Sequence, residues 1–148
     1  MNAELNPLPM TGTSRDGRLM HYSVGAIIED HGRFLLMDRM YEPHGWAGMA
    51  GHVDEGEDFL TALLREGREE LGTALISMQF LREQEVPWNF CRTAEAHYWQ
   101  LYRATVDPTR VRVNPHEAKS SGWFTREEMA KMALEPVWKH WFTLEGIL

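Results

Sequence analysis

Residues Gly51 to Thr73 read GHVDEGEDFLTALLREGREELGT, and the rest of the chain is arranged around them. A glycine-rich acidic loop runs into a helix that crowds Glu66, Glu69 and Glu70 near its far end. At about 100° per helical residue these glutamates fall within a roughly 100° arc. Leu60, Leu63, Leu64, Gly67 and Leu71 occupy the neighbouring arc, which can face a core. Two electrostatic rules are broken. Glu66 and Glu70 are like charges one turn apart, which opposes the helix. All three glutamates also lie close to Gly72, a helix stop, where the dipole favours cations. A bound divalent cation would remove both conflicts, so the stretch reads as a candidate functional site, with a solvated helix face as the alternative.

Outward from this stretch, 148 residues suffice for one domain with its own core. An apolar share of 43% and a charged share of 25% are ordinary for a soluble globular chain. The net charge of −7 argues against nucleic acid held through its phosphates, but a metal can bridge an acidic protein to a phosphorylated small molecule. Cys91, the only cysteine, excludes an internal disulfide and suits a reducing, cytoplasmic compartment. Flanked by Phe90 and Arg92, it reads as a packed, inert thiol. No signal peptide and no membrane span are expected, since no stretch approaches the roughly 18 apolar residues a span needs.

Residues 1–18 carry Pro7, Pro9, Gly12 and Gly17 and read as a loose arm before a single domain over 19–148. A strand is expected over His21 to Glu29, a turn at Asp30-His31-Gly32 and a returning strand over Arg33 to Met40. The loop Tyr41 to Ala50 follows, with a short strand at Gly51 to Val53 and a helix from about Asp58 to Leu71. Strands are expected within Ala74 to Val86 and over Ala96 to Val106, joined by a turn at Pro87-Trp88-Asn89. Val111 and Val113 are expected to pair briefly and Gly122 to Phe124 to form a short strand. The capping box Thr125-Arg126-Glu127-Glu128 starts a helix running to about Leu134. Pro136 opens a last helix whose Val137, Trp138, Trp141, Phe142 and Leu144 dock on the core. Hairpins with separate helices mean an α+β fold, an α/β/α sandwich with a mixed sheet between helical layers.

The opening stretch resembles the signature of the Nudix hydrolase family, G-x5-E-x7-R-E-U-x-E-E-x-G-U, where U is a bulky aliphatic residue. Gly51, Glu57, Arg65, Glu66, Glu69, Glu70 and Gly72 fill all seven fixed positions over 23 residues, which makes the match specific. The flanking hairpin, the Trp46 loop and Trp123-Phe124 ahead of an acidic-capped helix extend the likeness over Tyr22 to Leu134. Two positions depart: Gly67 and Thr73 stand where U is expected, and Gly67 in mid-helix costs about 1 kcal/mol relative to alanine. The resemblance implies the Nudix fold and metal-dependent hydrolysis of a pyrophosphate bond in a nucleoside diphosphate linked to another moiety. It implies Mg2+ (or Mn2+) held by Glu66, Glu69 and Glu70 with a backbone carbonyl near Ala50, and an internal ion pair of Arg65 with Glu57. The partner is then a small-molecule nucleotide, with ADP-ribose, a nucleotide sugar, a nucleoside triphosphate and a dinucleoside polyphosphate all open, as is a homodimer. A proline 14 residues past Thr73, Pro87, is similar to that of the ADP-ribose-cleaving subgroup, and a hairpin turn explains it equally. The alternatives are a nucleotide-binding module without catalysis and a prenyl-diphosphate isomerase on the same scaffold.

Outside the motif, Glu117 is the first candidate for a general base and Glu95 the second, with Glu69 able to serve instead. Arg39 is a candidate for a substrate phosphate. Trp46 is the candidate for stacking on a base, with Trp88, Phe90, Tyr98 and Trp99 behind it. His44 and His52 flank the loop, but no matching cysteine or histidine spacing accompanies them, so zinc is not expected.

Overall fold

The computed structural model describes residues 7–148. The first six residues of the expected loose arm lie outside the described residues. From residue 7 the arm is pinned: β1 (Thr11–Thr13) pairs antiparallel with β2 (Leu19–Asp30), and the Met10 amide donates to the Val53 carbonyl at 2.8 Å. Proline and glycine content suggested a loose tether there, but a free strand edge on β2 offers the backbone partners.

β2 is the spine. His31 and Gly32, with φ of 50° and 77°, close a two-residue turn into β3 (Arg33–Arg39), a geometry that matches the twist of the flanking strands. β4 (Trp46–Ala47) pairs with β3, and β5 (Met49–His52) lies antiparallel on β2 with Gly25 opposite Ala50. β6 (Ser77–Val86) and β7 (Ala96–Thr105) form a hairpin, and β7 runs parallel to β2 on the side away from β5, aligning His21 with His97. β8 (Ala118–Phe124) pairs antiparallel with β3. The order β4-β3-β2-β7-β6 is therefore a mixed sheet with its one parallel pair at the centre.

Alternation along β2 sends side chains into two cores. Val24, Ala26 and Ile28 meet Leu63 and Leu71 of α1 (Phe59–Leu71) on one face. Ile27 joins Trp138, Trp141 and Phe142 of α3 (Pro136–Leu144) on the other. Both tryptophans are fully buried, worth about 4–6 kcal/mol each as an upper bound on area alone. The sheet thus lies between helical layers, as the α+β reading expects.

Several local expectations are corrected. Asp58 is the cap of α1 and not part of its first turn: its carboxylate accepts from the Thr61 amide at 2.7 Å. Leu60 and Leu144 are exposed rather than docked. Val111 and Val113 pack on the first core without forming a strand, because the amides of Arg112 and Asn114 donate to the carbonyls of Leu71 and Glu70 at the open end of α1. The capping box at Thr125 is present, but α2 (Arg126–Met129) ends early. The Trp46 amide donates to the Ala133 carbonyl and the Glu135 amide to that of Trp46, so β4 draws this segment out of the helix.

Candidate active site

The site is built where β5 passes beneath α1. A Cβ on Gly51 would stand 2.0 Å from Cδ of Glu66, so only glycine lets that carboxylate lie across the strand. Gly72 closes the helix in a left-handed conformation, φ 67°, with its amide on the Arg68 carbonyl at 3.0 Å. Gly67 is also explained: a Cβ there would lie 2.9 Å from Cγ of Leu75, which fills the space an aliphatic side chain would take.

Arg65 organises the loop. Its Nε and Nη2 donate to the two Glu57 oxygens at 2.7 and 2.8 Å, Nη1 to Glu66 and Glu69 at 2.8 and 3.1 Å, and Nη2 also to the His52 carbonyl at 2.9 Å. Asp54 stands 3.2 Å from the same guanidinium. Glu57 closes the loop by accepting from the Asp54 amide at 2.9 Å, and the hydrogen bonds from Arg65 hold its carboxyl below the usual value. Arg65 is held correspondingly in its charged form.

Glu66 and Glu70 line the floor of a cleft of about 270 Å³, with Glu117 and Arg39 on its wall. Burial raises Glu66 to about 7 against the pull of Arg65, and Glu69 and Glu117 add to the rise. Glu70 is shifted well up by burial and by the charges of Glu66 and Glu117, opposed by the Ala50 amide, which donates to it at 3.2 Å. Glu66 and Glu70 therefore share a desolvated space, with the exposed Glu117 on its wall, and their oxygen donors suit a hard divalent cation. Glu69, 57% exposed in its side chain and paired with Arg65, is turned to the rim.

The other predicted residues separate. Arg39 borders the cleft but spends Nε on the Pro43 carbonyl at 2.7 Å, with Glu135 at 3.5 Å. Phe90, exposed, and Trp99, buried with its Nε1 donating to Asn89 at 2.8 Å, line the cleft. Trp46 does not belong to that lining among the described residues: its ring packs edge-on against Phe124, 5.1 Å between centroids, in the second core. Its place in a glycine-rich loop suggested access, but β4 pairing turns the ring inward. Trp88 packs against His140 and Tyr98 against Tyr22 and Phe59. Glu95 is exposed beyond the cleft.

Sequence reading missed Glu135, a buried cleft residue that burial raises to about 7, opposed by Arg39. Its position just before Pro136 was the available signal. Cys91, expected to be inert, borders the cleft beside His52 and His97. Burial opposes its ionisation, yet the polar imidazoles of His52 and His97 beside it hold the thiol down at about 4.

Residues 19–143 match the sequence profile of the NUDIX domain. The chain is 31% identical over 107 residues to the human mitochondrial NAD(P)H pyrophosphatase NUDT13, covering 70% of this chain and 29% of that protein, so it spans under a third of this relative's length. It is 30% identical over 137 residues to the nucleoside triphosphatase NudI of Salmonella agona (strain SL483), covering 82% of this chain and 94% of that one. The crystal structure of a MutT NUDIX hydrolase from Burkholderia pseudomallei superposes with a TM-score of 0.64 at 29% identity, over 74% of this chain and 85% of the other. Gly51 beneath Glu66, Arg65 clamping Glu57 and Gly72 ending the helix give the signature a physical reason position by position, and the chain belongs to the Nudix hydrolase family.

Proposed function

We propose that this chain hydrolyses a pyrophosphate bond in a nucleoside diphosphate linked to another moiety, or in a nucleoside triphosphate, with Mg2+ or Mn2+. The observation that carries this is the pairing of two largely buried carboxylates, Glu66 and Glu70, beneath the Ala50–Gly51 backbone with Glu117 beside them. Such a group is stable as anions only with a cation, and its all-oxygen donor set selects a hard one. Glu66 and Glu70 would hold the ion directly and Glu69 would join from the rim. When bound, the ion supplies polarisation of a phosphoryl oxygen and a lower pKa for the attacking water.

The chain's own residues do the rest. Arg65 and Glu57 fix the loop so that the carboxylates stay aimed at the cleft. Glu117, on the cleft wall, would take a proton from water, and Glu135, at about 7, would be the alternative acceptor. Arg39 and Phe90, which line the cleft, would meet a phosphate and a base. The substrate class also fits the nucleoside triphosphatase and NAD(P)H pyrophosphatase names of the relatives. The lone cysteine supports a reducing, cytoplasmic setting.

Incubation with ADP-ribose, a nucleotide sugar, nucleoside triphosphates and a dinucleoside polyphosphate, with magnesium and chromatography of products, tests the reading. Release of a nucleoside monophosphate or the matching phosphorylated product from at least one is expected. Glu66→Gln and Glu70→Gln should each slow it at least about a hundredfold. Tight binding of one compound with no turnover of any would leave a binding module. Turnover confined to prenyl diphosphates would leave an isomerase.

A further inference from the structure

Apart from the carboxylate floor, four side chains from four separate stretches converge beside the cleft, and three of them, His52, Cys91 and His97, line it. His21 comes from the start of β2, His52 from the end of β5, Cys91 from the connection after β6 and His97 from the start of β7. One donor atom from each lies within 4.8 Å of all the others. We infer that His21, His52, Cys91 and His97 form a second metal centre, a closed tetrahedral site for zinc, with imidazole and thiolate donors, that is separate from the Nudix glutamates.

Two of the spacings match the edges of a coordination tetrahedron, and the remaining donor atoms lie no more than 4.8 Å apart. Zinc–nitrogen bonds of about 2.0–2.1 Å and zinc–sulfur bonds of about 2.3 Å give tetrahedral edges of about 3.3 Å between nitrogens and about 3.6 Å from nitrogen to sulfur. His52 Nε2 lies 3.2 Å from His97 Nε2, and Cys91 Sγ lies 3.7 Å from His21 Nδ1. The His52 and His97 ring planes lie 5° from parallel with centroids 5.4 Å apart, so the two Nε2 atoms face one another.

The protonation state is prepared as well. His97 Nδ1 lies 2.8 Å from the Asn89 carbonyl oxygen, which can only accept. That nitrogen therefore carries the hydrogen, and in the neutral ring the Nε2 lone pair faces the cluster. Asn89 is itself buried and held by the Trp99 indole at 2.8 Å, so the supporting shell is rigid. A thiolate with three imidazoles is a borderline-soft donor set that prefers zinc to magnesium, the opposite of the glutamate set. Because protein atoms supply all four positions, none is left for water, and the centre is structural rather than hydrolytic. It would fasten the Pro87–Glu95 connection, with Phe90 and Cys91, onto β2, β5 and β7 beside the substrate cleft.

Cobalt is the direct probe. Chelator-stripped full-length protein is titrated with Co2+ in excess Mg2+ and followed by absorption. A thiolate-to-cobalt charge-transfer band in the near ultraviolet, with intense visible bands of tetrahedral geometry, is expected to saturate at a single equivalent and to be displaced by Zn2+. The spectrum should persist in Glu66→Gln/Glu70→Gln, whatever that variant does to turnover. Cys91→Ser should remove the charge-transfer band and weaken zinc binding at least about tenfold. Should Cys91→Ser fail to fold, His52→Gln, at another half-buried position, should keep a charge-transfer band but lose tetrahedral intensity. A wild-type spectrum without a charge-transfer band overturns the assignment in favour of a hydrogen-bonded polar cluster. Loss of the spectrum in the glutamate variant would likewise overturn it, since the cobalt would then sit in the carboxylate site.

Discussion

Gly51 and the carboxylate of Glu66 compete for one volume. A methyl group on Gly51 would come 2.0 Å from Cδ and 2.4 Å from Oε1 of Glu66. Gly51 lies on β5, paired with Val24 of β2, so its backbone is held and the side chain must yield. Glu66 is a flexible side chain, but its Oε1 is tied to Arg65 at 2.8 Å, and swinging away breaks that pair. Gly51→Ala is therefore expected to cost about 1–3 kcal/mol of stability as overpacking. Turnover should suffer more, by about a hundredfold, because a shift near 1 Å in a positioned catalytic group counts on that scale. Urea melts and steady-state rates on one preparation check it, and an unimpaired rate would mean that the observed position of Glu66 is not required for catalysis. At this scale the sequence was most legible in the motif: Arg65 pairs with Glu57 as the resemblance implies, and Glu66 and Glu70 lie together on the cleft floor. It was least legible for Glu135, whose acidity is set by burial that only the docking of α3 creates.

α1 shows how an element absorbs a departure from its family pattern. Gly67 is buried in mid-helix, and Leu75, from the segment after the helix, places Cγ 2.9 Å from the missing Cβ. The volume is kept although the residue that supplies it has moved by eight positions in sequence. Gly67→Ala gains about 1 kcal/mol of helix propensity and loses about 1–3 kcal/mol to crowding, so a small net destabilisation is expected. Leu75→Ala alone leaves a cavity costing about 2–5 kcal/mol. Combining the two should cost less than their sum, with a coupling of about 0.5–2 kcal/mol measured by a double-mutant cycle in urea. Strict additivity would refute the exchange of volume. Elements with strong periodicity, β2, α1 and α3, were readable in advance. Residues 111–114 and 130–135 were not, because their amides answer to the open end of α1 and to β4, partners distant in sequence.

Across the whole molecule, the site's charges set how stability depends on pH. Glu66 is raised from 4.5 to about 7 by burial, and Glu70 is shifted in the same direction. Between those values the folded chain keeps a proton on Glu66 that the unfolded chain has released, so stability falls as pH rises through the window. A shift of that size corresponds to on the order of 3 kcal/mol. Glu57, held low by Arg65, contributes stability above its usual value of 4.5 and loses it only as pH falls further, outside this window. Cys91, held down at about 4, acts the other way, adding stability as pH rises towards its usual 9.0. The wild-type curve therefore mixes opposing slopes, and the difference between two proteins is the informative quantity. Metal-free Glu66→Gln/Glu70→Gln should melt above the metal-free wild type, with the gap widening from about pH 5 to 8. Magnesium at about a hundred times its dissociation constant should stabilise the wild type by about 2.7 kcal/mol, some 5–10 °C for a chain of this size, and leave the variant unmoved. Calorimetry at several pH values, with and without magnesium, reads both effects. A gap that stays constant with pH, or an equal magnesium shift in both proteins, would mean that Glu66 and Glu70 are neither a mutually repelling buried pair nor the cation's ligands. The helix that breaks its own electrostatic rules would then owe its tolerance to packing alone.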